Sequence, residues 1–326
     1  MSYKMIANAA KTTVSTVSKA FHNSDEISTK KKEEIFNAAR ELGLFEKYYR
    51  GEKGKPLVGI ICPEPESETY GMLVGSIEKL LWENGVESLI GISRFDSKRK
   101  TELYSELIYR ARADGMIILG TAQGLKNPDN IPTISIVEGV ETPSESKVSV
   151  NIKETMSELV LFLKKGNYRR VGFIGEKLTE SRLKTFKSAM RTEGLPLLEE
   201  YIYIAETARF AEAGIEGMET FIKRGTVPEV IITAYDNIAF GAMKSAKENG
   251  LKIPDDISFI GINDITPSEY MDVPLSSIET NYSEVSATAV NLLLSQIRKG
   301  RKIQKAKSPM ILAKLNLRKS VKTKKE

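Results

Sequence analysis

Among 326 residues there is one cysteine, Cys62, and one histidine, His22. A lone cysteine excludes a disulfide within the chain, and one residue of each type excludes a zinc site built from cysteines and histidines. Without a disulfide framework the chain suits a reducing compartment, so a cytoplasmic location is expected. No apolar run reaches the roughly 18 residues of a membrane span, and Met1-Ser2-Tyr3-Lys4 leads into alanine-rich amphipathic sequence without the apolar core of a secretory signal. No G-x-x-x-x-G-K-[ST] phosphate loop occurs, and Gly172-Phe173-Ile174-Gly175 lacks the glycine spacing of a dinucleotide fingerprint. Scarce His and Cys remove many nucleophilic arrangements, while carboxylate chemistry stays open.

What is there is ordinary in amount and uneven in placement. With 41% hydrophobic and 28% charged residues the chain can bury a large core, and its length fits two or three domains at about 150 residues each. The net charge of +5 hides a segregation: residues 1–56 hold 11 Lys/Arg against 7 Asp/Glu, residues 298–326 hold 12 against 1, and the middle is acidic. Basic ends on an acidic body suggest a polyanion partner near a terminus, because cations displace counterions from phosphate chains. The final Lys322-Thr323-Lys324-Lys325 reads as a solvated basic tail.

From Pro56 onward short apolar runs alternate with helical patterns, the reading of βαβ units with buried parallel strands. Strands are predicted at Val58–Cys62, Val86–Ile92, Gly115–Leu119 and Thr133–Val137, and again at Val171–Ile174, Tyr201–Ile204, Val230–Thr233 and Ser258–Ile262. Helices are predicted near Gly71–Asn84, Thr101–Arg112, Thr155–Lys165, Ser181–Glu193, Ala211–Arg224 and Asn237–Asn249. Two successive sets imply two doubly wound α/β subdomains, with any small-molecule site at the carboxyl ends of the strands.

The first 45 residues differ, showing three short helical patterns and no strand, and read as a separate all-α unit. Ser2, Thr13 and Ser28 are candidate caps. Val17, Ala20 and Phe21 stand at i, i+3, i+4, and Ile35, Ala38, Ala39 and Leu42 at i, i+3, i+4, i+7, with Gly43 to stop the last helix. Helix, tight turn and helix across residues 3–23 suit the major groove, where the second helix needs small or polar exposed residues and a cation. Val14, Ser15, Ser18 and Lys19 meet that need, although bare helical hairpins also occur in purely structural domains.

Ile6-Ala7-Asn8-Ala9-Ala10-Lys11-Thr12-Thr13-Val14-Ser15-Thr16-Val17-Ser18-Lys19-Ala20-Phe21-His22-Asn23 resembles the N-terminal signature I-A-x-x-A-G-V-S-x-x-T-V-S-R-x-L-N of the lactose-repressor (LacI/GalR) family of bacterial transcription regulators. The likeness continues through Arg169–Gly175, Ala234–Gly241, Ile253–Ser258, Gly261–Asp264, Pro274–Ser277 and Leu315–Ser320, in family order over nearly the whole chain. The resemblance implies a homodimeric repressor on a near-palindromic double-stranded operator, with a small-molecule effector such as a sugar or sugar derivative between two periplasmic-receptor-like subdomains, and no cofactor, metal, membrane partner or enzymatic turnover. It implies a helix-turn-helix head over 1–45, a linker over 46–56, an N-subdomain over 57–150 plus 281–305, a C-subdomain over 151–280 plus 306–320, and a tail over 321–326.

Carried over by position, Val14, Ser15 and Lys19 fall where the family reads major-groove bases. Tyr3, Thr13, Asn23 and Ser28 fall where backbone contacts are expected, and His22 either touches DNA or lies on the surface. Lys19 replaces the usual arginine, exchanging a bidentate fork for a point charge. Lys11 stands where glycine is usual. The family's hinge, Y-x-P-N-x-x-A-x-x-L, is shortened here to Leu44–Pro56 without its Pro, Asn and wedge leucine; Tyr48 or Tyr49 could substitute, and a flexible basic linker is the plainer reading.

For the effector, the resemblance points to Arg182, Phe210, Tyr70, Tyr235, Asn263 and Thr280. Tyr235 and Asn263 replace a usual Asn and Asp, and Thr280 a frequent Gln, which implies an atypical effector or none. Two other classes remain open at this stage: a cytoplasmic small-molecule-binding protein without specific DNA binding, and an enzyme on an α/β fold.

Overall fold

A computed structural model of the chain describes residues 2–22, 24–45, 48, 55–127, 129–138, 146–299 and 307–322. It opens with α1 (Ser2–Ala9), α2 (Val14–Phe21) and α3 (Thr29–Glu41). Thr13 caps α2, its Oγ1 accepting from the Thr16 N–H at 3.1 Å, and Ser28 caps α3 by accepting from the Lys31 N–H at 3.2 Å. At the end of α3, Gly43 takes φ +66°, so that its N–H reaches the Arg40 carbonyl (2.9 Å) and the Leu44 N–H reaches that of Ala39 (2.8 Å). This pair of bonds is a Schellman stop.

The turn from α1 to α2 keeps a left-handed residue where glycine would be easy: Lys11 has φ +46°. A side chain there costs about 1 kcal/mol. Lys11→Gly is therefore expected to stabilise the protein by about 0.5 kcal/mol once the extra freedom of unfolded glycine is subtracted, read as a rise in denaturant midpoint at constant slope.

Val17, Ala20, Phe21, Ile35, Ala38 and Ala39 are buried as their spacing predicts. Leu42, the last position of the α3 stripe, is instead 36% exposed at the helix end, while Phe36, outside the stripe, is fully buried. The reason is that α3 buries two faces. One closes the three-helix core, and the other packs against the first α/β layer, so that one hydrophobic cluster runs from Ile6, Phe21 and Phe36 to Leu107, Ile108, Tyr109 and Ile131.

That layer contains β1 (Leu57–Cys62), α4 (Glu68–Glu83), β2 (Glu87–Ile92), α5 (Ser97–Ser105) with a π-helical turn at Glu106–Arg110, β3 (Gly115–Leu119), β4 (Thr133–Glu138) and β5 (Lys147–Asn151). The next comprises α6 (Lys153–Lys165), β6 (Val171–Glu176), α7 (Glu180–Glu193), β7 (Ile202–Ala205), α8 (Phe210–Arg224), β8 (Val230–Thr233), α9 (Asp236–Glu248), β9 (Ser258–Asn263), α10 (Pro267–Tyr270) and β10 (Ser276–Glu279). Helix α11 (Tyr282–Lys299) and the short strands β11 (Met310–Leu312) and β12 (Lys314–Asn316) follow. The sheet orders are β11-β5-β4-β3-β1-β2 and β12-β10-β9-β8-β6-β7. Pairing is parallel except for β12 on β10 among the registers described. Winding reverses between β1 and β3 and again between β6 and β8, which puts a crevice at the carboxyl ends of those strands.

The chain divides into two compact units. One takes Met1–Val137, Glu141–Val148 and Ser283–Pro309, and the other Glu138–Val140, Ser149–Tyr282 and Met310–Glu326. Within the second, α8 and α9 pack backbone to backbone. A Cβ on Gly214 would lie 1.9 Å from the Ile238 carbonyl oxygen, and one on Gly241 1.8 Å from that of Ala211. Among the described residues no helix is long and apolar enough to cross a membrane.

Candidate functional site

The head presents the exposed side of α2. Val14 is 46% exposed and Ser15 is exposed beside it, because Val17, Ala20 and Phe21 take the opposite face inward. Thr13 is exposed, its hydroxyl shared with the Thr16 hydroxyl at 2.8 Å. Ser18 and Lys19 are half-buried; the Lys19 ammonium is ion-paired with Glu26, an acid the sequence reading passed over. His22 is exposed and donates through Nδ1 to the Ser18 carbonyl at 2.8 Å. Asn23 lies outside the described residues, as do Glu46, Lys47 and residues 49–54 of the linker, Tyr49 among them.

Tyr3 and Tyr48 turn into the head. Tyr3 stacks on Phe21 (centroids 5.8 Å, 16°) and lies 4.5 Å from the Tyr48 ring, which also approaches Phe21 at 5.8 Å. Burial, then the neighbouring Tyr48, raises the Tyr3 phenol above its ordinary range. Tyr48 is thus part of the aromatic packing of the head.

In the first unit a cavity of about 180 Å³ opens at the ends of β1 and β3, lined by Ile61, Tyr70, Ser93, Phe95, Lys100 and Thr121 among others. Tyr70 and Phe95 meet edge-on at 6.2 Å, and Lys100 spans the cavity edge by donating to the Thr121 carbonyl at 2.9 Å. Arg94 and Phe95 both adopt positive φ (+53° and +59°), the kind of local strain that collects at binding sites.

In the second unit the strand ends carry a denser polar cluster. Arg182, 9% exposed on α7, donates from Nε to both oxygens of Glu138 (3.1 Å each), from Nη2 to Glu138 (2.5 Å) and to Asn263 Oδ1 (2.9 Å), and from Nη1 to the Ala234 carbonyl (2.5 Å). Burial opposes its charge, but the Glu138 carboxylate more than offsets that and raises the guanidinium pKa. Asn263 Oδ1 also accepts from the Tyr282 hydroxyl at 2.8 Å, and the buried Thr280 donates to the Asn263 carbonyl at 3.5 Å.

Phe210 and Tyr235 face each other at 5.8 Å beside Glu176. That carboxylate is 2% exposed and accepts from Arg209 Nε (3.0 Å) and from the Phe210 N–H (3.2 Å), where Phe210 takes φ +54°. Burial first, then Glu176, pushes the Tyr235 phenol well above its ordinary range.

Behind the cluster a buried scaffold fixes the loop after β9. Asp236, 0% exposed, accepts from Ser277 Oγ (2.6 Å), the Ile265 N–H (2.8 Å) and Ser268 Oγ (3.0 Å); burial pushes its carboxyl up to about 7. A Cβ at Gly261 would meet Asp236 Oδ1 at 1.9 Å, so glycine is required there. Arg318 and Asn316 hold the Asp264 carboxylate at 2.5 and 2.7 Å, which gives the C-terminal Leu315–Ser320 segment a positioning task. Asn263, at φ +113°, is presented to Arg182 by this loop.

The structure therefore brings Arg182, Asn263 and Thr280 together, and Phe210 with Tyr235, while Tyr70 lies at the strand ends of the first unit. Glu138, Glu176 and Tyr282 were missed. Each carboxylate sits at the carboxyl end of a strand, a position the α/β rule marks for ligand contact. Among the described residues no group of three or more His, Cys, Asp or Glu could hold a metal ion.

The model for bacterial regulatory proteins of the lacI family matches residues 4–45, and that for a periplasmic binding protein-like domain matches residues 160–321. The HTH-type transcriptional repressor CytR of Escherichia coli (strain K12) is 27% identical over 90% of this chain and 89% of its own. The HTH-type transcriptional regulator DegA of Bacillus subtilis (strain 168) is 25% identical over 86% and 87%. Among solved structures, a lac repressor dimer bound to operator and an anti-inducer superposes with TM-score 0.71 at 19% identity, covering 97% of both chains. The transcriptional regulator CelR in complex with cellobiose superposes with TM-score 0.68 at 19% identity, over 98% of this chain and 99% of that one. With the helical head, the two doubly wound sheets and both family models in chain order, this chain belongs to the lacI family of bacterial regulatory proteins.

Proposed function

We propose that the chain is a sequence-specific transcriptional repressor, acting in the cytoplasm as a homodimer that sets two α2 helices into adjacent major-groove half-sites of a near-palindromic operator. The observation that carries this reading is the exposed Val14–Ser15 face on a helix whose caps and core are complete without it. Small side chains allow close approach to base edges, and Lys19 supplies the cation. Thr13 and Ser28 serve as caps and as backbone anchors together, with Ser18 and His22 at the border of that surface, while Tyr3 and Asn23 keep the backbone-contact role that the resemblance gives them.

A small molecule at the strand ends modulates DNA affinity by the difference between its affinities for the two states. Its contacts are Tyr70 in the first unit, and Arg182, Phe210, Tyr235, Asn263 and Thr280 in the second. Arg182 is already neutralised by Glu138, so a carboxylate or phosphate ligand must first displace an internal carboxylate. An uncharged ligand, such as a neutral sugar or sugar derivative, has no such barrier. The regulatory assignment leaves no catalytic role for these groups, and the working parts are the head at 1–45, the linker at 46–56 and the two effector subdomains.

The test is selection of fragments from sheared genomic DNA of the source by the purified full-length protein at near-physiological salt. Enrichment of a near-palindromic site is expected. Recovery limited to a salt-labile background, with or without added ligand, would leave a small-molecule-binding protein without specific DNA recognition.

A further inference from the structure

Phe36, Arg40 and Asp25 belong to the head, yet all three also make contacts outside it. The Phe36 ring lies 6.2 Å from that of Tyr109, on the π-helical turn that ends α5. Arg40 sets its guanidinium 5.6 Å from the Tyr109 ring and 4.6 Å from Phe45, and is ion-paired with Asp129, whose side chain is 3% exposed. Arg110, the last residue of the same turn, donates to Asp25 at 2.8 Å in the loop between α2 and α3. Lys32, 1% exposed, lies on the same helix as Phe36. These contacts continue the hydrophobic cluster of the head into Leu107, Ile108 and Ile131.

We infer that the head is fixed on its own first unit before DNA is met, through an interface between α3 and the π-helical turn at Glu106–Arg110. This goes beyond the repressor reading and rests on it only for its consequence. The sequence of the linker lacks the Pro, Asn and leucine that the resemblance attaches to a DNA-folded hinge. The α3 interface supplies a path from body to head that does not run through the linker. A buried aromatic pair and a desolvated Arg–Asp pair resist shear far better than exposed ion pairs, because water is excluded from them. Docking uses α3 and leaves the Val14–Ser15 side of α2 exposed, so the docked head remains able to read DNA. A head already ordered on the body forfeits less conformational freedom on binding, and a shift of the π turn reaches the reading helix directly. π-helical turns are common at functional positions, in keeping with that role.

The experiment measures the distance between spin labels on the full-length protein without DNA, which keeps it independent of whether an operator is ever found. Cys62 is buried and its thiol is pushed up to about 11, so it stays unlabelled while the exposed Glu34→Cys on α3 and Lys98→Cys on α5 take the labels. Labelled chains are diluted into unlabelled ones so that only distances within a chain are read. One narrow distance distribution is expected, broadening to several components in Asp129→Asn, with the circular dichroism of the head unchanged. In the same variant, affinity for selected operator DNA should fall about tenfold, the equivalent of about 1.4 kcal/mol. A broad distribution in the otherwise unaltered protein overturns the proposal, and so does an Asp129→Asn variant indistinguishable from it in both distance and affinity.

Discussion

Replacing Lys19 with alanine weakens binding to the selected operator by about 5- to 30-fold, or about 1–2 kcal/mol, while leaving the denaturation midpoint almost unchanged. Stability is spared because the side chain is 43% exposed and its ion-pair partner, Glu26, is itself 67% exposed. Exposed pairs of this kind contribute little, since water screens them and ordering two long side chains costs entropy. The affinity loss has two possible sources, and salt separates them. If Lys19 touches only a phosphate, affinity falls equally for all sequences and the slope of log K against log salt drops by about one. If it reads a base, the loss concentrates on one position of each half-site while non-specific binding changes less. The reading role predicts the second pattern in a titration of single-base operator variants. Equal loss on every variant would reassign Lys19 to the backbone. Lysine cannot form the fork that arginine makes with guanine, so Lys19→Arg should sharpen preference at that same position instead of shifting it elsewhere.

Much of the fold was legible because local signals and burial agreed. Thr13 and Ser28 cap the helices expected of them, Gly43 stops α3, and the apolar runs at Gly115–Leu119 and Val230–Thr233 are strands to the residue. The strands that escaped, Lys147–Asn151, Ser276–Glu279, Met310–Leu312 and Lys314–Asn316, are three to five residues long, and all but Met310–Leu312 are interrupted by polar residues. Met310–Leu312 and Lys314–Asn316 are outer strands, where the sheet asks for less burial, and the other two border them. Phe36 escaped for a related reason. A single helical stripe accounts for one buried face, and α3 buries two. In the site, the residues carried by the family pattern were individually visible, but their partners were not. Arg182 and Glu138 are separated by 44 positions, Phe210 and Glu176 by 34, and nothing local in either sequence neighbourhood announces the pairing.

That pairing sets the largest expected effect on stability. In Arg182→Met the apolar stem is nearly preserved, but the cation is lost from a place where Glu138 remains with a side chain 26% exposed. The Ala234 carbonyl loses the Arg182 donor in the same step, and Asn263 Oδ1 keeps only that of Tyr282. Stranding a largely buried carboxylate together with the Ala234 carbonyl should destabilise the protein by about 3 kcal/mol in denaturant titrations. Glu138→Gln should cost less, because a glutamine carbonyl still accepts from the guanidinium and Arg182 keeps its other two acceptors. The double variant should be more stable than the sum of the two losses predicts, by about 1–2 kcal/mol, since the second change removes the stranded charge left by the first. Strict additivity would mean that the pair contributes nothing as a pair. The same variants test the ligand chemistry. With Glu138 neutral, the guanidinium is a cation at the strand ends without a carboxylate, and inorganic phosphate should then raise the melting temperature of Glu138→Gln while leaving that of the unaltered protein in place. Phosphate stabilising both proteins equally would show that Glu138 yields readily to an anion, and the preference for an uncharged effector would fall with it.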